Sequence, residues 1–143
     1  MLDPVLNFAK VEASTGYDGD DTSIELVAGE GAKLPAPAID GAFNLVWWNS
    51  SDYADPSDDP SVEIVRVTAR STDTLTITRA QEGTSATPKN TSGKVYKMAL
   101  SLTKKMKDDI ETEIGTGGNF GNADGGTPTS NYGAIDPVDG GGV

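Results

Sequence analysis

Between residues 61 and 79 the chain runs through two stretches of alternating side chains separated by a short polar link. In SVEIVRVTA (residues 61–69) Val65, Val67 and Ala69 share one side, while Ile64, Arg66 and Thr68 point to the other. In DTLTITR (residues 73–79) Leu75 and Ile77 oppose Thr74, Thr76 and Thr78. A period of two places one apolar face of a strand against a core. The link Arg70-Ser71-Thr72-Asp73 is short enough to fold the two stretches into a hairpin.

The rest of the first hundred residues follows the same logic. Residues 23–27 (SIELV), 43–48 (FNLVWW) and 94–100 (KVYKMAL) have strand composition. Residues 4–13 add an N-terminal strand in which Val5, Phe8 and Val11 are candidates for burial. No helical pattern separates these runs. The expected fold is therefore mainly β, a small antiparallel barrel or sandwich over residues 1–100. Residues 101–114 read as one short helix, from the stripe Leu102, Met106, Ile110 and Ile114. Ser101 or Thr103 is placed to cap its start, and Gly115 suits its end. Its charges oppose the macrodipole: lysines come early, and Asp108, Asp109, Glu111 and Glu113 come late.

Residues 115–143 are an extended Gly-rich tail holding ten of the 17 glycines and no Lys or Arg. Its large apolar anchors are Phe120, Tyr132, Ile135, Val138 and Val143. These are too few to offset the roughly 1–2 kcal/mol of backbone entropy lost per ordered residue. Such a segment is expected to gain order only by lying on another surface, its own domain's or a neighbour's.

Composition narrows the chemistry. The chain of 143 residues has no Cys and no His, so disulfides, thiolate nucleophiles, a Cys/His zinc site and a histidine base are excluded. A net charge of −11 disfavours phosphate backbones, so no nucleic-acid partner is expected. No apolar run approaches the roughly 20 residues of a membrane helix, and no membrane partner is expected. The N-terminal residues lack the pattern of a secretory signal, which points to synthesis in a cytoplasm.

Few side chains suggest a site. Asp52, Asp55, Asp58 and Asp59 in a long acidic loop have the chemistry of a Ca²⁺ site but no recognised spacing, and Asp18, Asp20 and Asp21 lack the rest of a cation loop. Asp, Pro and Ser also form solvated turns, so no metal and no cofactor is expected. Trp47 and Trp48 are adjacent in a strand and face opposite sides. One belongs in the core, and Trp48, with Tyr53 just beyond, is a candidate for an interface or a sugar platform. Glu63 and Glu82 are a carboxylate pair of the kind glycosidases use, although nothing in their spacing selects them. Arg66, Arg70 and Arg79 are expected to pair with Glu63, Glu82 or Asp73 across strands.

The stretch from residue 62 to 86, VEIVRVTARSTDTLTITRAQEGTSA, resembles a module of small virion proteins of tailed bacteriophages, including tail-fibre, head-fibre and decoration-type proteins. Its pattern is carried by Glu63, Val65, Val67 and Thr68, then by residues 73–79, then by Gln81, Glu82, Gly83 and Thr84. The flanks are similar too, with NLVWWNSSD upstream and a basic strand leading to a helix downstream. The resemblance implies a role in the particle and no set of catalytic residues.

The expectation is a non-enzymatic structural subunit of a phage virion, on capsid, neck or tail, made in the host cytoplasm. Its partners would be itself, as a symmetric homo-oligomer, and other virion proteins. The expected contacts are Leu102, Met106, Ile110 and Ile114 of the helix and Phe120, Tyr132, Ile135 and Val138 of the tail, with Trp48 and Tyr53. The alternative is an adhesion module on a fibre that binds a receptor or host-surface glycan through Trp48, Tyr53 and the acidic loop.

Overall fold

The computed structural model describes residues 2–117. The chain divides into a unit of residues 1–110 and a second of residues 111–143. Of the second unit, residues 111–117 are described. The expectations for Phe120, Tyr132, Ile135 and Val138 lie outside the described residues.

The first unit is mainly β. Six strands, β1 (Lys10–Glu12), β2 (Ser23–Glu25), β3 (Phe43–Asn49), β4 (Glu63–Ser71), β5 (Thr74–Gln81) and β6 (Tyr96–Ala99), form one antiparallel sheet in the order β1-β6-β3-β4-β5-β2. The sheet curls as a half-barrel until its edges meet. A bridge between Ala13 and Leu26 links the ends of β1 and β2, supported by Ser14 N–H to the Glu25 carbonyl at 2.8 Å and Val27 N–H to the Glu12 carbonyl at 2.9 Å. Joining the edges shields strands that would otherwise expose unpaired backbone.

The inward side chains form one core that includes Val11, Ile24, Leu26, Phe43, Leu45, Trp47, Val65, Val67, Leu75, Ile77 and Met98. The β4–β5 hairpin turns through Thr72, whose φ of 52° is left-handed. The carboxylate of the next residue, Asp73, accepts the N–H groups of Gly29 and Gly31 at 2.9 and 2.8 Å. Gly31 has to be glycine here, because a Cβ would stand 2.0 Å from the Thr72 carbonyl oxygen.

Two slips in the β4–β5 pairing matter. An extra residue in β4 between Val67 and Ala69 reverses the alternation. Val65 and Val67 are buried as their spacing predicts, but Ala69 is exposed. An extra residue in β5 between Thr78 and Gln81 puts Ala80 at φ 55° and turns Arg79 towards β4.

Three further expectations are corrected. The N-terminal strand starts only at Lys10, because a turn at Asn7 and Phe8 precedes it. Val11 is buried, but Val5 is exposed and Phe8 wholly so, with a left-handed φ of 60°. The acidic loop contains a 3-10 turn, Pro56–Asp58, and a single helical turn, α1 (Pro37–Asp40), precedes β3. The long helix, α2 (Lys104–Gly117), starts and ends three residues later than its apolar pattern predicts. Thr103 caps it, its Oγ1 accepting the Met106 N–H at 3.4 Å, and Gly115 lies inside it.

Candidate functional site

Two polar networks sit on the central hairpin, one on each side of the sheet. The inner one is built around Glu63. Glu63 stands opposite Trp47 in the β3–β4 register, so its carboxylate enters the barrel beside the indole. The slip in β5 brings Arg79 to it as a bidentate partner: Nε to Oε1 at 2.8 Å and Nη2 to Oε2 at 2.8 Å. The displaced Ala80 N–H adds a third bond at 3.0 Å. Lys89, wholly buried, reaches Oε2 at 3.3 Å and also donates to Thr87 Oγ1 and to the Ser61 carbonyl, the latter at 3.0 Å. Both cations lie over the Trp47 ring, at 5.1 and 5.5 Å from its centroid. Burial alone pushes the Glu63 carboxyl up, but the Arg79 and Ala80 hydrogen bonds and the two cations outweigh it, so the pKa falls below the ordinary value. Burial lowers the Lys89 ammonium, against the pull of Glu63.

The outer network joins five segments. Arg66 holds the Asp3 carboxylate through two bonds of 2.6 and 2.9 Å and also donates to Asn44 Oδ1 and the Ala42 carbonyl. Asn44 donates to Glu82 Oε1 at 2.7 Å, and Glu82 Oε2 accepts the Lys105 N–H at 2.9 Å, in the first turn of α2. That carboxylate satisfies one of the free N–H groups at a helix start. Lys105 Nζ closes the circuit on Asp3 at 3.4 Å. Burial raises the Asp3 and Glu82 carboxyls, yet the net shift of each is downwards. Arg66 dominates for Asp3; the Lys105 N–H, with Thr103 and Asn44, dominates for Glu82.

This network leaves an apolar groove of about 300 Å³ between the N-terminal arm and α2, lined by Leu2, Asp3, Val5, Leu102, Met106 and Ile110. Of the expected helix contacts, Met106 is buried, whereas Leu102, Ile110 and Ile114 are 73%, 40% and 52% exposed. The groove therefore gathers Leu102, Met106 and Ile110 and adds Leu2 and Val5. Val5 was expected in a buried strand over residues 4–13, and Leu2 lies before that strand, so neither stood out as a surface residue.

Trp48 does not form the exposed platform its position suggested. It is buried, and its indole N–H donates to the Tyr53 carbonyl at 3.2 Å, because the acidic loop doubles back over it. Tyr53 is half-buried and lines a polar hollow of about 190 Å³ with Asn49, Asp52, Asp59 and Tyr96 among others. The loop's carboxylates mostly bond within the chain. Asp55 caps the 3-10 turn through the Ser57 N–H, Asp52 meets Lys94 and Asn49, and Asp59 accepts from the Asn49 and Ser61 N–H groups. Among the described residues no group of three or more Asp and Glu is placed to hold a metal ion. Glu63 and Glu82 belong to opposite networks, and both carboxylates are bonded within the fold. Arg79 pairs with Glu63 as expected; Arg66 pairs with Asp3 instead, and Arg70 donates to the Pro35 and Thr72 carbonyls.

No family model matches the chain, and no curated protein matches it.

Proposed function

We propose that the chain is a non-enzymatic structural subunit of a tailed-bacteriophage particle, an accessory protein of capsid, neck or tail such as a fibre base, decoration or adaptor. It assembles through α2 and the Gly-rich tail, with copies of itself and other virion proteins as partners, after synthesis in the host cytoplasm. The observation that carries this reading is the apolar groove and the exposed Leu102 and Ile110 that line it, on a module whose buried charges are already paired. A surface of this kind suits a protein contact. The hairpin motif and its flanks support the particle context. The tail adds small residues that can run close to a neighbour's backbone and complete a sheet edge.

Deleting residues 116–143 tests the reading. The truncated chain should keep the β-sheet circular dichroism of the full chain and fail to enter particles. Undiminished incorporation would contradict it.

A second reading rests on the hollow beside Tyr53. Its two tyrosines, Asn49 and the carboxylates of Asp52 and Asp59 have the chemistry of a glycan subsite on an adhesion module. Tyr53→Ala should then abolish binding on a glycan array without altering assembly.

A further inference from the structure

The N-terminal arm is at odds with its own sequence. Residues 4–13 read as one strand, yet β1 begins only at Lys10, and a turn at Asn7 and Phe8 directs the preceding arm towards α2. Phe8 carries that turn at a φ of 60°, a backbone region that bulky residues rarely adopt. Its side chain is wholly exposed, so no packing offsets the strain. Strain of this kind persists only where the surroundings impose it.

What imposes it is Asp3. Its carboxylate takes two bonds from Arg66 and one from Lys105 and is nearly buried between them. The socket is built without the arm, because Arg66 also donates to Asn44 Oδ1 and the Ala42 carbonyl and so stays aimed. Leu2 and Val5 lie along the groove with Leu102 and Ile110 but remain exposed. The arm is thus one anchored carboxylate on a strained hinge.

A second copy of the chain offers the same socket to the same arm. When the hinge straightens, β1 continues through Phe8 as its sequence favours, and the strain is released. Asp3 then reaches the socket of the other copy. Every contact of the arm is regained there, and two-fold symmetry returns the exchange. A short hinge under strain favours this outcome. From Asp3 to Ala9 the extended chain spans about 20 Å, so the two barrels lie close together. Leu6 and Phe8, both exposed in the single chain, fall at their junction.

We propose that residues 2–8 are an exchange arm, which two copies of this chain swap by seating Asp3 in each other's Arg66–Lys105 socket. The exchange deepens the assembly reading and rests on it only for the expectation that copies meet in a particle.

The test is sedimentation equilibrium of the full chain over a concentration series, with circular dichroism as the check on the fold. The wild type should show a monomer–dimer equilibrium. Phe8→Pro forbids a positive φ and should raise the association constant about tenfold. Phe8→Gly accepts the turn without strain and should lower it by a similar factor. Wild type against Phe8→Gly repeats the comparison if proline disturbs the circular dichroism. Asp3→Ala in the Phe8→Pro background should restore the monomer. Because the chain has no Cys, Val5→Cys with Leu102→Cys supplies the two thiols for a short bismaleimide. Cross-links should join two chains in the Phe8→Pro background and stay within one chain in the Phe8→Gly background. Association that ignores residue 8, a dimer that survives Asp3→Ala, or cross-links confined to one chain in both backgrounds would overturn the exchange. None of these results touches particle incorporation, which the tail deletion judges separately.

Discussion

The two networks of the central hairpin use the same chemistry to opposite ends. Each pairs an arginine with a carboxylate through two hydrogen bonds. The Glu63 network is closed inside the barrel: its side chains come from β4, β5 and the segment before β6, and none reaches solvent appreciably. The Arg66 network lies on the other side of the sheet and ties down elements far apart in sequence, Asp3 of the N-terminal arm, Glu82 after β5 and Lys105 of α2. Its Arg66 remains partly exposed. The inner network fixes the module. The outer one positions the arm and helix that frame the apolar groove. Burial and sequence separation, rather than residue type, set the role.

The largest expected effect falls on the inner network. Glu63→Gln removes the carboxylate that pairs with both buried cations, and breaking a buried pair from one side costs about 3–5 kcal/mol. Urea unfolding should show the midpoint fall accordingly. Lys89→Met should cost far less, about 1 kcal/mol, because it leaves the Glu63–Arg79 pair intact and removes the surplus charge. Equal costs for the two variants would erase the distinction between anchor and surplus.

Acid should strike both networks. Glu63 and Glu82 have an ordinary value of 4.5 and Asp3 of 3.8, and all three are lowered in the fold. The unfolded chain therefore takes up protons first as pH falls. Their contribution is complete above about pH 5 and is lost as pH drops through the folded-state values. Glu63→Gln should flatten this acid limb in unfolding curves recorded across pH. An unchanged limb would remove Glu63 from the account.

The outer network should respond more gently. Asp3→Asn weakens the bidentate contact with Arg66 and should cost about 1–2 kcal/mol. Hydrogen exchange should quicken in the first turns of α2 and leave β3 and β4 unchanged. The smallest effect belongs to Lys104→Ala, which removes an exposed pair with Asp108 and should leave the urea midpoint nearly unchanged.

The strands were legible because alternation and β-branched residues in runs such as residues 61–69 and 73–79 admit few other readings. The Glu63–Arg79 pair was legible as a charge match on neighbouring strands. What stayed hidden depends on contacts distant in sequence. Ala69 turned outwards through an inserted residue that local alternation does not reveal. Trp48 was covered by a loop whose composition reads as solvated. Val5 was exposed by a turn at Phe8 that breaks the expected strand. The groove needed Asp3 and Lys105 to meet, 102 residues apart, which no local pattern signals.

The proposed assembly requires a barrel that is stable by itself and an α2 and arm that gain contacts from a partner. Hydrogen exchange of the full chain at low and high protein concentration tests this most directly. Amides of α2 should exchange faster than those of β3 and β4 in dilute solution and slow markedly on concentration, while the strands stay unchanged. Exchange in α2 that ignores concentration, or strands that respond as strongly as the helix, would contradict it.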